Sequence, residues 1–137
     1  MAFKKNIYLF AVILLAACSS SENYPPVENP LDAGRQFIEA VFKGNFKRAA
    51  MLMVDDAKNK QLLKEKMEDD FYNRTSEDRN ELKQSSITIL TNEEVVKDSL
   101  TIINFINSYD QKPAVLKVVK QNGTWLIDFK YTFSGNL

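Results

Sequence analysis

The stretch Asn122-Gly123-Thr124-Trp125-Leu126-Ile127-Asp128-Phe129-Lys130-Tyr131-Thr132-Phe133 decides the fold. Asn-Gly is a strong two-residue hairpin signal, because both positions accept positive φ. Beyond it the residues alternate. Trp125, Ile127, Phe129, Tyr131 and Phe133 fall on one face of an extended chain, and Leu126, Asp128, Lys130 and Thr132 on the other. The spacing predicts a strand running to Phe133. Burying these side chains at roughly 2 kcal/mol each contributes about 10 kcal/mol as an upper bound. That rivals the net stability of a typical domain, about 5–15 kcal/mol, so this face is expected to pack on the helices.

Upstream, the chain reads as a meander. Val115 to Lys120 is the strand before the hairpin, and Tyr109-Asp110-Gln111-Lys112 with Pro113 is a turn. Leu100 to Tyr109, rich in Ile, Phe and Thr, is a second strand, preceded by a turn at Lys97-Asp98-Ser99. Ile87 and Ile89 open the first strand, which continues to Val95 or Val96.

Before Ser86 the period is helical. Asn29-Pro30 supplies a capping residue and a proline for the first helical position, and Gly44 a stop. Phe37, Ile38, Val41 and Phe42 form one stripe between them, and Phe46, Ala49, Ala50 and Met53 form another in a shorter helix. Asp55-Asp56 can cap a third, carrying Leu63, Met67 and Phe71 at four-residue steps. Its outer face offers the i,i+4 pairs Lys64 with Glu68, Glu65 with Asp69 and Lys66 with Asp70. Thr75 to Lys83 is polar and fits either a loop or one more helical turn. Helices followed by an antiparallel meander imply an α+β domain, with the N-terminal helices on one face of a four-stranded antiparallel sheet.

The other end of the chain has a different character. Lys4 and Lys5 precede an unbroken apolar run, Ile7 to Ala17. A membrane-spanning helix needs about 20 residues, so this run is too short. A basic start, a short apolar core and small residues at its end mark a secretory signal. Leu15-Ala16-Ala17-Cys18 resembles the lipobox of bacterial lipoproteins. The resemblance implies cleavage between Ala17 and Cys18, and acylation of Cys18 with palmitate-like chains on its thiol and new amine. More than one chain is needed for stable anchoring, and this arrangement supplies it. Ser19 rather than aspartate follows Cys18, which is compatible with the outer membrane, facing the periplasm.

Residues 19–29 contain Pro25-Pro26 and no apolar period, and read as an extended tether. Fully stretched they would reach about 36 Å. The chain thus divides into a signal peptide, 1–17, a lipidated cysteine with its tether, 18–29, and one domain, 30–137.

Composition narrows the chemistry. The 137 residues hold 18 basic and 18 acidic side chains, and losing Lys4 and Lys5 leaves the processed chain slightly acidic. Nucleic acid normally calls for a concentrated basic face, so it is not an expected partner. Cys18 is the sole cysteine, which leaves no intrachain disulfide. There is no histidine, which excludes Ser-His-Asp and Cys-His catalysis and histidine metal ligands. Carboxylates alone suit zinc and copper poorly, and neither Asp55-Asp56 nor Asp69-Asp70 has calcium-loop spacing. No metal or cofactor is expected.

Phe37-Ile38-x-x-Val41-x-x-Gly44-Asn45-Phe46-x-x-Ala49 resembles the opening helix pair of the nuclear transport factor 2-like (cystatin-like) superfamily. Asn122-Gly123-Thr124-Trp125-Leu126-Ile127-Asp128-Phe129 is similar to its closing hairpin. The resemblance covers about residues 30–134, and points to small bacterial lipoproteins with a domain of unknown function of this type. It implies a curved sheet wrapped around the helices as a cone-like roll, often enclosing a pocket, and in many members a homodimer through the sheet. An early strand between the second and third helices, present in some enzyme members, is not evident.

Fold alone does not give function. Ketosteroid-isomerase-like members use aspartate and tyrosine without histidine, which makes Asp55, Tyr72, Tyr109 and Tyr131 the candidates for an envelope enzyme. A helix cap accounts for Asp55, core or rim packing for Tyr72 and Tyr131, and Asp128 falls on the face opposite Trp125. The expected function is non-catalytic: an anchored envelope lipoprotein binding a small apolar ligand or a protein partner. Phe37, Val41, Met53, Tyr72, Trp125, Phe129 and Tyr131 are the expected pocket lining, and an assembly module dimerising through the sheet is the alternative. Asp98-Ser99-Leu100 also resembles a short O-glycosylation sequon.

Overall fold

The structure, a computed structural model, describes residues 23–134. The expected signal and lipidation site, Ala17 and Cys18 included, lie outside the described residues.

Helix α1 (Pro30–Phe42) starts at its capping signal: the Asn29 side chain accepts the Asp32 N–H at 2.9 Å, and Pro30 occupies the first turn. Gly44, at φ +75°, reverses the chain into α2 (Phe46–Met51), which Asn45 caps. Helix α3 (Ala57–Leu62) is capped by Asp56 and runs unbroken through a π-helical segment, Leu63–Glu68, into α4 (Asp69–Asn73). The π turn corrects the expected ion pairs. The Asp69 N–H bonds the Lys64 carbonyl five residues back, so the surface neighbour of Lys64 becomes Asp69 rather than Glu68. Glu65 accepts from Gln61 at 3.0 Å, and Asp70 pairs with Arg74 at 2.8 Å. The wider turn lets both Leu62 and Leu63 be buried while Phe71 still reaches the core. The polar stretch left open above is helical: α5 (Ser76–Gln84), capped by Thr75.

Four antiparallel strands follow in the order β1-β2-β3-β4: β1 (Ile87–Val96), β2 (Leu100–Asn107), β3 (Ala114–Gln121) and β4 (Thr124–Ile127). Asn122 and Gly123 make the expected positive-φ turn, at 50° and 77°. The last strand is shorter than its alternation predicts. It stops at Ile127, and Tyr131–Ser134 forms a helical turn, α6. Residues four apart share a face in both a strand and a helical turn, so Phe129 and Phe133 fit either state. Their rings do meet, at 5.1 Å and 89°. Of the face expected to be buried, Ile127 and Phe129 are buried, Trp125 and Tyr131 half-buried, and Phe133 exposed.

The edge of β3 that β4 leaves is closed otherwise: Asp128 N–H donates to the Lys117 carbonyl at 2.9 Å, and Thr132 Oγ1 to Val115 at 2.7 Å. On its far side β4 is flanked by the chain after α2. A parallel bridge joins Met53 to Ile127, with Val54 N–H donating to the Ile127 carbonyl at 2.9 Å. That single bridge is the only early β pairing between α2 and α3 among the described residues.

Phe37, Ile103, Leu116, Val118 and Ile127 are the largest fully buried apolar side chains. Phe37 packs on Phe129 at 5.2 Å, and a Cβ on Gly34 would sit 2.8 Å from Ile103 Cδ1, so α1 and β2 touch backbone to side chain. A different set of residues forms one cross-strand row: Val96 opposite Leu100, Leu100 opposite Val119, and Val119 opposite Leu126. None of the four belongs to the buried core cluster.

The described part of the expected tether, residues 23–29, lies on the domain. The Arg48 guanidinium stacks 4.4 Å from the Tyr24 ring, Asn45 Nδ2 donates to Tyr24 Oη, and Gln36 Nε2 donates to the Pro25 carbonyl at 3.2 Å. Val27 packs against the core.

Candidate functional site

Three parts of the chain converge beside α3. Asp56 caps that helix by accepting the Asn59 N–H at 2.7 Å, and the cap turns the Asn59 side chain inward, where it is 0% exposed. There it is fully used. Its Nδ2 donates to the Val54 carbonyl at 3.1 Å and lies 3.4 Å from Asp128 Oδ1, and its Oδ1 accepts the Lys130 N–H at 2.7 Å. The Lys130 ammonium bridges Asp56 (2.6 Å) and Asp128 (3.0 Å), and the other Asp128 oxygen lies 3.7 Å from Lys117 Nζ.

The Lys130 hydrogen bond, seconded by the Asn59 N–H, lowers the Asp56 pKa from its ordinary 3.8, and the two carboxylates raise that of Lys130 above 10.5. The linkage has two limbs. The Asp56 contribution is complete above its ordinary value and is lost as pH falls through the lowered one. The Lys130 contribution is complete below 10.5 and is lost as pH rises through the raised value.

A hollow of about 480 Å³ opens beside this cluster, bounded by Lys58, Leu62, Lys117, Asp128, Lys130, Tyr131, Phe133 and Ser134. The volume falls in the range of small-molecule pockets, about 300–1,000 Å³. Lys117 Nζ lies 5.8 Å from the centre of the Tyr131 ring, and Phe133 is 42% exposed at the rim. The arrangement offers cations over an apolar wall. Its carboxylates are already bound to ammoniums, which suits it to binding rather than to proton abstraction.

The expected pocket residues are distributed elsewhere. Phe37, Val41, Met53 and Phe129 belong to the buried core, where they pack on one another's neighbours. Tyr72 is 59% exposed and stacks edge-on against Phe71 at 5.5 Å, and Trp125 is half-buried beneath Lys120. Tyr131 borders the large hollow. Val41 also borders a smaller cleft of about 230 Å³, with Met67, Phe71, Arg74 and Tyr109.

The enzyme candidates sit in separate surroundings. Asp55 is exposed and paired with Lys60, Tyr72 is in the aromatic stack, and Tyr131 lies by Lys117. A carboxylate and a tyrosine do meet at the small cleft, but with a guanidinium between them. Arg74 donates to Asp70 at 2.9 Å and to Tyr109 Oη at 3.1 Å.

No family model, curated protein or solved structure matches this chain. Among the described residues no three His, Cys, Asp or Glu side chains are grouped to hold a metal ion, and no helix is long and apolar enough to cross a membrane. Sequence reasoning missed Asn59, Lys58, Lys117, Lys130 and Phe133. The one local signal was Asp56 with Asn59 three residues on, a spacing at which cap and helix interact. The others read as solvated charges or as strand.

Proposed function

We propose that this protein is a lipid-anchored, non-catalytic lipoprotein of the cell envelope, held at the outer membrane and facing the periplasm. Its α+β domain, of the nuclear transport factor 2-like cone type with helices against the sheet, binds a small ligand with an apolar body. The observation that carries the reading is Lys4-Lys5, the apolar run Ile7 to Ala17 and Cys18 at its end. The hollow beside α3 supports the ligand-binding part, and the dispersal of Asp55, Tyr72, Tyr109 and Tyr131 supports a non-catalytic one. An alkyne-tagged palmitate fed to expressing cells is expected to label the wild-type chain and not Cys18→Ser. Equal labelling of the two would overturn the anchor.

A second reading, assembly through the sheet, is favoured by the aliphatic row Val96, Leu100, Val119 and Leu126. A row of this kind across four strands suits a second copy of the chain. Chemical crosslinking in intact cells is expected to give a dimer that Val119→Lys abolishes. A chain that crosslinks to no second copy removes this reading and leaves the ligand-binding one standing.

A further inference from the structure

The geometry points to the hollow beside α3 as a site for a single-chain anionic amphiphile. Its carboxylate is held by the Lys58 and Lys117 ammoniums, and its apolar body lies on Leu62 and Phe133. The inference deepens the ligand-binding reading above and rests on it.

Among the described residues, Lys58, Lys117 and Lys130 border the hollow against one acidic side chain, Asp128. Lys130 is committed to Asp56 and Asp128 at 2.6 and 3.0 Å. Lys117 is not. Its distance to Asp128 is 3.7 Å, longer than an N–H···O hydrogen bond allows. Its side chain is 23% exposed, and its ammonium otherwise lies 5.8 Å from the centre of the Tyr131 ring. Lys58 has the neutral Gln61 Oε1 at 3.4 Å as its hydrogen-bond acceptor. A carboxylate placed here would form the charge-assisted bonds of about 2.8 Å that both ammoniums lack.

Leu62 and Phe133 border the same space, Leu62 as the edge of the core and Phe133 as a ring 42% exposed overall. A bare anion would leave that wall in water. A neutral apolar molecule would cover Lys117 while supplying no close acceptor to its ammonium. A ligand carrying both parts satisfies both walls.

The probes are decanoate, decanol and decyltrimethylammonium, added to the full chain in nonionic detergent. The readout is the acetylation rate of each lysine by peptide mass spectrometry. Decanoate is expected to slow acetylation of Lys58 and Lys117 while leaving the solvent-facing Lys97 unchanged, and the other two probes to protect neither. Lys117→Gln is expected to weaken decanoate protection at Lys58 about tenfold. Should that variant fail to fold, Lys58→Gln, at an exposed position, is expected to weaken protection at Lys117 in the same way. Equal protection by decanol overturns the anion site and leaves an apolar-ligand site standing. No protection by any probe overturns both.

Discussion

Gly44→Ala is expected to lose about 3 kcal/mol of unfolding free energy, the largest effect of a Cβ added at any described glycine. Two costs combine. Gly44 sits at φ +75°, where a side chain costs about 1–2 kcal/mol. A Cβ there would also lie 2.6 Å from Phe71 Cζ and 2.7 Å from Cε1. Phe71 has little room to retreat, being 6% exposed and packed edge-on against Phe46 at 5.6 Å. Gly123→Ala separates the two costs. Gly123 has nearly the same φ, +77°, but an added Cβ there meets nothing within 4 Å, so only the backbone cost of about 1 kcal/mol applies. Urea unfolding of both variants measures the difference. If Gly44→Ala costs no more than Gly123→Ala, the Phe71 contact carries no weight. Gly44→Ala combined with Phe71→Leu is expected to recover part of the loss, because residues in contact are not additive.

The parts of the fold legible in the sequence are those specified locally. Asn29-Pro30 starts α1, Asn122-Gly123 turns the last hairpin, and the switch from a helical to an alternating period falls at Ser86. Those signals need only neighbouring residues. The misread parts turn on distinctions that local spacing cannot make. Phe129 and Phe133 share a face in a strand and in a helical turn alike, and the Lys130 N–H that a longer β4 would use goes to Asn59, 71 residues away in sequence. The π turn is equally invisible, since Lys64 has an acidic residue at both i+4 and i+5 and only the backbone decides between them.

The site was less legible than the fold for the same reason. Lys58, Lys117 and Lys130 each look like a solvated charge when read along the chain. Their number around one hollow appears only when α3, β3 and the β4–α6 segment are brought together. Tyr24 and Arg48 show the same limit. A proline-containing polar stretch reads as a free tether until its aromatic ring is found against a guanidinium from α2.

Asn59→Leu is expected to cost about 3 kcal/mol, close to the Gly44 variant but by an opposite physical route. Leucine matches asparagine in size, so no large cavity is made, and what is lost is hydrogen bonding alone. The Lys130 N–H loses its acceptor at 2.7 Å and the Val54 carbonyl loses a donor at 3.1 Å, both deep enough that the side chain between them is 0% exposed. A buried donor left unmatched costs about 1–3 kcal/mol. The pH profile then tells this loss from a charge effect. Leucine keeps the backbone N–H that Asp56 accepts, and the Lys130 ammonium stays beside Asp56, so the two largest causes that lower the Asp56 pKa persist. Asn59→Leu should therefore shift stability down by a similar amount at every pH while keeping the fall on acidification below about pH 4. Asp56→Asn should do the reverse, shrinking that acid fall because no carboxylate remains there to protonate. Thermal unfolding from pH 2 to 8 measures both. An Asn59→Leu curve that meets the wild type at low pH would show that the residue acts only through the Asp56 charge, and the hydrogen-bond account would fail.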